Sequence, residues 1–314
     1  MNIILKFTHK KMLLLLTFFC FWINSNAQTR DSLAKNPVMF LNLASKTLKW
    51  TEPAEPLQIA GPIYFVGTKG LGSYLISTSK GLILLYTGMP GSGPMIESSI
   101  KKLGFKPSDI KYILSGHAHS DHAGGHAYLK KISGAKTPIM SEEKELLESG
   151  GKTDFHYGKI PEFWFDPVKA DKILHNGDTI KLGEIIMTAY LTPGHTKGDT
   201  TWVTDIMIDG QKYNVVFPDG TSINPGYRLV KNPSYAGIEN NYRSTLNKLE
   251  MLKPDIWLSC HTDFFDFENK RNRAAAEGIK AWIDREGYQK RIAGERIKFK
   301  NELSTEMDST DKTH

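Results

Sequence analysis

Apolar residues along this chain come in short runs. Ile63 to Val66, Tyr74 to Ser77, Leu82 to Tyr86 and Tyr112 to Leu114 are too brief for helices and are rich in β-branched, aliphatic and aromatic side chains. That combination predicts strands. Between them, Met95 to Leu103 and Ala123 to Ile132 carry apolar residues at helical spacing. The second half repeats the rhythm, with strands expected at Ile185 to Leu191, Thr200 to Thr204, Val215 to Phe217 and Ile256 to Ser259, and helices at Glu239 to Leu252 and Asn272 to Glu286. No Pro/Ser-rich linker separates the halves, so the pattern predicts one α/β domain of two sheets with helices outside. Residues 28–55 are mixed in character and read as an N-terminal arm lying on the body. Residues 301–314 are polar and aperiodic and read as a flexible tail.

The first residues follow a different logic. Lys6, Lys10 and Lys11 precede the apolar run Met12 to Ile23, and Ser25-Asn26-Ala27 follows. A charged start, a short apolar stretch and a small-residue site predict a signal peptide over residues 1–27, cleaved to leave a domain over 28–300 in the periplasm or outside the cell. The run is too short for a helix to span a bilayer, so no stable membrane anchor is expected. Cys20 follows Phe18 and Phe19 rather than small residues and belongs to the apolar stretch, not to a lipid-attachment site.

Composition narrows the function classes. With 40% hydrophobic and 24% charged residues the chain is neither disordered nor a multi-span membrane protein. Removing residues 1–27 lowers Lys+Arg from 40 to 37 against 34 Asp+Glu, a net charge of +3. Such a scattered excess, without a stripe of basic and aromatic residues, argues against a nucleic-acid partner. Cys260 is then the one cysteine, so no internal disulfide is expected.

Chemistry concentrates after the strand ending at Leu114, where the chain reads Ser-Gly-His117-Ala-His119-Ser-Asp121-His122-Ala-Gly-Gly. Three imidazoles and a carboxylate on one strand-to-helix loop are a dense set of nitrogen and oxygen metal donors, and burying them uncompensated is costly. Alternate spacing lets His117, His119 and Asp121 point one way while His122 turns aside, which favours two neighbouring metal positions. Two further histidines sit at strand ends, His195 in Leu-Thr-Pro-Gly-His-Thr-Lys-Gly and His261 after Ile256 to Cys260. His126 and His175 read as surface or capping residues, and Cys260 as a small buried residue at a strand end.

The motif His117-x-His119-x-Asp121-His122 resembles the signature of the metallo-β-lactamase superfamily. The segments Gly150 to Gly158, Leu191 to Gly198 and Asn224 to Val230 are similar to its subclass B3 enzymes, and the resemblance covers roughly residues 50 to 290. It implies a four-layer αβ/βα sandwich and two zinc ions, the first on His117, His119 and His195 and the second on Asp121, His122 and His261. It further implies that a zinc-bound hydroxide, oriented by Asp121 as catalytic residue, hydrolyses the amide of a small β-lactam substrate without a covalent intermediate, with Ser222 and Asn224 receiving the substrate carboxylate. His156 and Tyr157 are expected on a loop above the metals. A lactonase or thioesterase on the same fold is the alternative. Two positions depart from the family. Tyr86 stands where an aspartate is usual, so a carboxylate that would orient the metal loop is expected to be missing. Gly220 stands where related enzymes tend to carry a serine. Asp219 beside it either touches the metals or serves the turn into Gly220.

Overall fold

The protein is described by a computed structural model over residues 30–311. The expected signal segment and His314 lie outside the described residues. Twelve strands are described: β1 Leu57–Ala60, β2 Ile63–Phe65, β3 Tyr74–Thr78, β4 Gly81–Leu85, β5 Ile110–Leu114, β6 Pro138–Met140, β7 Lys172–Leu174, β8 Thr179–Leu182, β9 Ile185–Leu191, β10 Thr200–Ile208, β11 Gln211–Phe217 and β12 Ile256–Trp257. The helices are α1 Pro37–Thr47, α2 Gly93–Lys102, α3 Ser120–Ala123, α4 His126–Ser133, α5 Lys144–Ser149, α6 Ile238–Met251, α7 Phe267–Glu277 and α8 Arg285–Asp311.

Two five-stranded sheets run in the order β1-β2-β3-β4-β5 and β12-β11-β10-β9-β8, with β6 and β7 as a small separate pair. Each large sheet is an antiparallel meander whose last strand is added in parallel, β5 beside β4 and β12 beside β11. The two parallel pairs need long connections, and these carry α2 and α6 respectively. In β4, Ile83 and Leu85 face the second sheet while Leu82 and Leu84 pack with Ile96 and Ile100 of α2 and Leu129 of α4. A strand covered on both faces reads as a continuous apolar run, as Leu82 to Leu85 does. In β9, by contrast, Ile185, Met187 and Ala189 are buried while Ile186 and Tyr190 are exposed, so that strand alternates. Trp202, Phe217, Phe65 and Tyr74 fill the space between the sheets. The architecture is the expected four-layer sandwich.

Several boundaries differ from the sequence reading. β10 and β11 form one hairpin whose tip, Asp209-Gly210, has positive φ at both residues (51° and 80°). This is the two-residue turn that Asp-Gly favours, and it lengthens both strands beyond their apolar cores. The helix expected over Asn272 to Glu286 ends instead at Glu277, because Gly278 takes positive φ, and a new helix starts at Arg285. The N-terminal arm contains α1, which begins at Pro37 with the Asn36 side chain capping Met39 N and buries Leu41.

The flexible tail over 301–314 is corrected: α8 continues through Asp311. Phe299 is buried, and Leu303 packs against the same cluster. Glu302 pairs with Arg30 at 3.0 Å, and the Glu306 carboxylate accepts hydrogen bonds from the backbone N–H groups of Leu229 and Val230 at 2.8–2.9 Å. Carboxylate contacts rather than an apolar stripe hold this last segment, so hydrophobic periodicity carries little sign of it.

Candidate metal centre

All six sequence-selected donors meet at the ends of the strands that face each other across the sandwich. The loop leaving β5 carries His117 and His119, and α3 carries Asp121 and His122. The second sheet fixes that loop: Thr200 N donates to the Gly116 carbonyl at 2.7 Å and Trp202 Nε1 to the Ser115 carbonyl at 2.9 Å. Gly116 must be glycine, since a Cβ there would lie 1.8 Å from Asp219 Oδ2. His195 follows β9 and His261 follows β12. Glu143, fully buried just before α5, ties two of these loops together: it accepts from Ala118 N (2.8 Å), Thr196 Oγ1 (2.7 Å) and Gly198 N (2.9 Å).

Outer partners fix which ring nitrogen faces inward. His117 Nδ1 is 3.1 Å from Asp219 Oδ1 and 3.3 Å from Asp199 Oδ1, and its Nε2 is buried without a partner. His119 Nε2 lies 3.1 Å from Asp154 Oδ2, and His195 Nδ1 lies 2.9 Å from the Ser222 carbonyl. If each outer nitrogen donates to its oxygen, His117 Nε2, His119 Nδ1 and His195 Nε2 are left with lone pairs that converge. The last two are only 3.0 Å apart. Two lone pairs at that distance repel unless a cation or proton lies between them, so the site fits a metal ion. Beside it, Asp121 Oδ2 is 3.1 Å from His122 Nε2 and 3.7 Å from His261 Nε2, a second convergence of donors. The donor groups that can hold a metal are His117/His119/His195, His117/Asp121/His122, His122/Cys260/His261 and His117/Asp199/Asp219, each within 4.8 Å among the described residues.

Burial and charge set protonation in the metal-free protein. Burial pushes His195 well below the usual imidazole range, helped by His117 and His119, and pushes His261 down to about 3, helped by His122. Both rings are therefore neutral, as metal ligation requires. Burial raises the Asp219 carboxyl, but the imidazoles of His117, His122 and His195 outweigh it and hold the group below the usual carboxylate range. Asp199 moves the other way, raised by burial and by Asp219. Of the two acids near His117 Nδ1, Asp219 is the one whose charged form its surroundings favour. Burial also raises Glu143 to about 7.

Other positions resolve as follows. Ser222 lines the site, but its Oγ is 3.2 Å from His195 Nδ1 and its carbonyl accepts from Tyr242 Oη at 2.7 Å. Asn224 lines the cleft over the donors together with Tyr157, Trp50, Phe264 and residues of α1. His156 and Tyr157 lie on the loop above, where their backbone N–H groups donate to Asp154 Oδ1. Asp219 serves the turn, accepting from Gly220 N at 2.9 Å, and also the metal side, through His117. Tyr86 does not leave the metal loop without a carboxylate: its hydroxyl donates to Asp219 Oδ2 at 3.2 Å, and Asp219 reaches in from the other sheet. Cys260 is buried as expected, yet lies among the donors, with Sγ 4.0 Å from Asp219 Oδ1; burial pushes its thiol up to about 11. His126 is not a surface residue but fully buried, its Nδ1 2.8 Å from Thr87 Oγ1. Sequence reasoning missed Glu143, Asp154 and Asp199. Asp154 falls within the Gly150 to Gly158 segment, but no local pattern distinguishes these three acids from surface ones.

Comparison with known proteins agrees with this geometry. The family model of the metallo-beta-lactamase superfamily matches residues 73–261. Native FEZ-1 metallo-beta-lactamase from Legionella gormanii superposes with a TM-score of 0.80 at 40% identity, covering 82% of this chain and 98% of that one. BJP-1, a subclass B3 metallo-beta-lactamase of Bradyrhizobium japonicum, gives 0.80 at 37% identity, with 85% and 99% covered. Among curated sequences, an N-acyl homoserine lactonase of Bacillus cereus is 35% identical over 167 residues, 46% of this chain and 60% of the lactonase. A probable metallo-hydrolase of Burkholderia pseudomallei is 34% identical over 94 residues, 31% of its length. The chain thus spans between about a third and 60% of these curated relatives.

Proposed function

Because the chain belongs to the metallo-β-lactamase superfamily, we propose that it is an exported, zinc-dependent β-lactamase of subclass B3 type, opening the amide bond of penicillins, cephalosporins and carbapenems. The observation that carries this reading is likeness over 82–85% of this chain to the Legionella and Bradyrhizobium enzymes, at 37–40% identity, together with six converging donors. The lactonase matches stop short of that coverage. Export rests on the signal-like residues 1–27. No helix among the described residues is long and apolar enough to cross a membrane.

In this reading His117, His119 and His195 hold one zinc and Asp121, His122 and His261 a second. When bound, zinc supplies Lewis acidity, drawing electrons from a carbonyl and making water acidic enough to attack near neutral pH. The chain's own residues do the rest. Asp121 would, besides offering an oxygen to the second zinc, accept a hydrogen bond from the attacking water and so orient it. Asp219, Asp154 and the Ser222 carbonyl hold the three imidazoles in their ligating tautomers, so the site needs no rearrangement during the reaction. The walls from Phe40, Leu41, Trp50 and Phe163 exclude water from one side of the cleft and bury an apolar substrate group. Ser222 and Asn224 line the place where a substrate carboxylate rests.

The test is hydrolysis of a penicillin, a cephalosporin, a carbapenem and an N-acyl homoserine lactone, with added zinc and with chelator, beside His117→Ala. Zinc-dependent β-lactam opening, lost in the variant, supports the reading. Turnover of the lactone alone replaces it with the lactonase reading, which the 34–35% identical Bacillus relatives favour.

A further inference from the structure

The lysines of the first half are scattered in sequence but gathered by the fold. β4 and β5 run in parallel, so α2, which joins the end of one to the start of the other, runs back against them. α4 does the same between β5 and β6, which a parallel bridge between Tyr112 and Lys136 aligns, and β6 pairs in parallel with β7. The last turns of α2 and α4 and the starts of β5, β6 and β7 therefore share one end of the molecule. The metal loop leaves β5 at the other end, after Leu114. Lys106, Lys111, Lys131, Lys136, Lys169 and Lys172 stand at the first end, and all six are exposed. Backbone contacts hold their segments together: Lys136 N donates to the Lys111 carbonyl at 2.9 Å, Lys130 Nζ to the Lys169 carbonyl at 2.8 Å, and Lys172 pairs with Pro138 across β6 and β7.

None of the six forms an ion pair among the described residues. Of the acids on these elements, Glu97 pairs with Lys101 at 2.6 Å and Asp171 with Lys130, which leaves Asp109. Lysines in the last turns of α2 and α4 meet the negative ends of those helices, which accounts for Lys131. Lys111, Lys136, Lys169 and Lys172 lie on strands and loops, where no helix end accounts for them, and like charges gathered this closely repel one another. The cluster holds no arginine, since none occurs between residues 31 and 227. Arginine forks onto fixed phosphates and base edges, whereas lysine is a point charge on a flexible stem. An array of such charges suits a surface of mobile anionic head groups better than a nucleic-acid duplex.

We propose that this lysine-rich end docks the protein reversibly on a bilayer carrying anionic phospholipid, with the metal cleft at the opposite end and open to solvent. The inference does not depend on which substrate the cleft takes. Docking of this kind needs no spanning helix: each lysine brought near an anionic surface strengthens binding about fivefold, and the attraction fades within a Debye length.

The apolar run Met12 to Ile23 would itself enter lipid, so the test uses the zinc-loaded protein from Gln28 onward, which keeps every described residue. It is sedimented with vesicles of phosphatidylglycerol and phosphatidylethanolamine, and with vesicles of phosphatidylcholine. Binding is expected to the first and not to the second, and to fall at least about tenfold in Lys131→Glu/Lys136→Glu or in about 0.5 M salt. Lys290→Glu/Lys300→Glu, which makes the same charge change on α8, is expected to lose less than about threefold. Lysine acetylation of the wild type reads the orientation without any variant: on vesicles it is expected to slow at Lys111, Lys136 and Lys172 but not at Lys46, on the helix that roofs the cleft. No binding, equal binding to both kinds of vesicle, equal losses in the two variants, or protection of Lys46 in place of the other three overturns the proposal. So does tighter binding to a DNA duplex than to the anionic vesicles with the same dependence on Lys131 and Lys136, which makes this end a nucleic-acid surface.

Discussion

The two sheets share one plan, a four-stranded meander with a fifth strand added in parallel after a helix, yet they divide the labour of the site. The first sheet delivers four donors, His117, His119, Asp121 and His122, from the loop after its parallel strand β5. The second delivers His195 and His261 one at a time, and with them Asp219, Asp199 and the Ser222 carbonyl, which orient the donors. At matching places just past the fourth strand of each meander stand Tyr86 and Asp219, joined by a hydrogen bond of 3.2 Å. Repeated topology thus does not imply repeated chemistry. The first half presents four of the six donors, the second presents the other two together with the partners that orient His117 and His195, and of the two matching strand ends only the second carries a carboxylate.

If that division holds, the largest loss comes from the donor side. His117→Ala is expected to lower zinc-dependent turnover more than about a hundredfold, beyond the usual cost of losing an orienting partner; metal analysis with steady-state kinetics checks it. Gly220→Ser, which tries to build a side chain onto the second half's turn, meets positive φ and the Thr192 carbonyl, and is expected to cost about 3 kcal/mol in urea unfolding. Asp219→Asn leaves every donor in place but weakens the acceptor for His117 Nδ1. Zinc retention against a chelator is expected to fall about 10- to 100-fold; unchanged retention would mean that Asp199 suffices.

Smaller effects sharpen the link between the halves. Tyr86→Phe removes the donor to a charged carboxylate and is expected to cost about 1.5 kcal/mol of stability, with zinc retention only slightly reduced. His126, buried against Thr87, is pushed down to about 3 by burial, below the usual imidazole value near 6.5. A lowered folded-state pKa gives stability that is full above pH 6.5 and lost as pH falls toward 3. With chelator present, His126→Asn is expected to flatten that acid slope while changing stability little at pH 7.5.

What the sequence reveals of this molecule follows from which forces leave a local trace. The β4 run Leu82 to Leu85 and the six donors are legible because burial on both faces imposes a continuous apolar run, and because histidines clustered after one strand or placed at the ends of others stand out locally. Glu143, Asp154 and Asp199 are not. Each acts across the fold, on a loop tens of residues away, and a lone acid in a loop has the same local pattern whether it is buried or solvated. The last turns of α8 escape for a related reason, since Glu302 and Glu306 bind Arg30 and the 229–230 backbone rather than an apolar groove. Tyr86 shows the opposite error: the absent aspartate is real in sequence, but its role is met from the other sheet.

The contact between Glu306 and the backbone of Leu229 and Val230 also bears on the order in which the enzyme becomes complete. Synthesis runs from the N-terminus, and every metal donor has been made once His261 is in place. The loop that follows Ser222 and Asn224, however, keeps two of its N–H groups without this acceptor until residue 306 leaves the ribosome. A chain clipped before residue 306 would therefore keep all six sequence-selected donors while losing the tie that fastens the loop after Asn224 to the last helix.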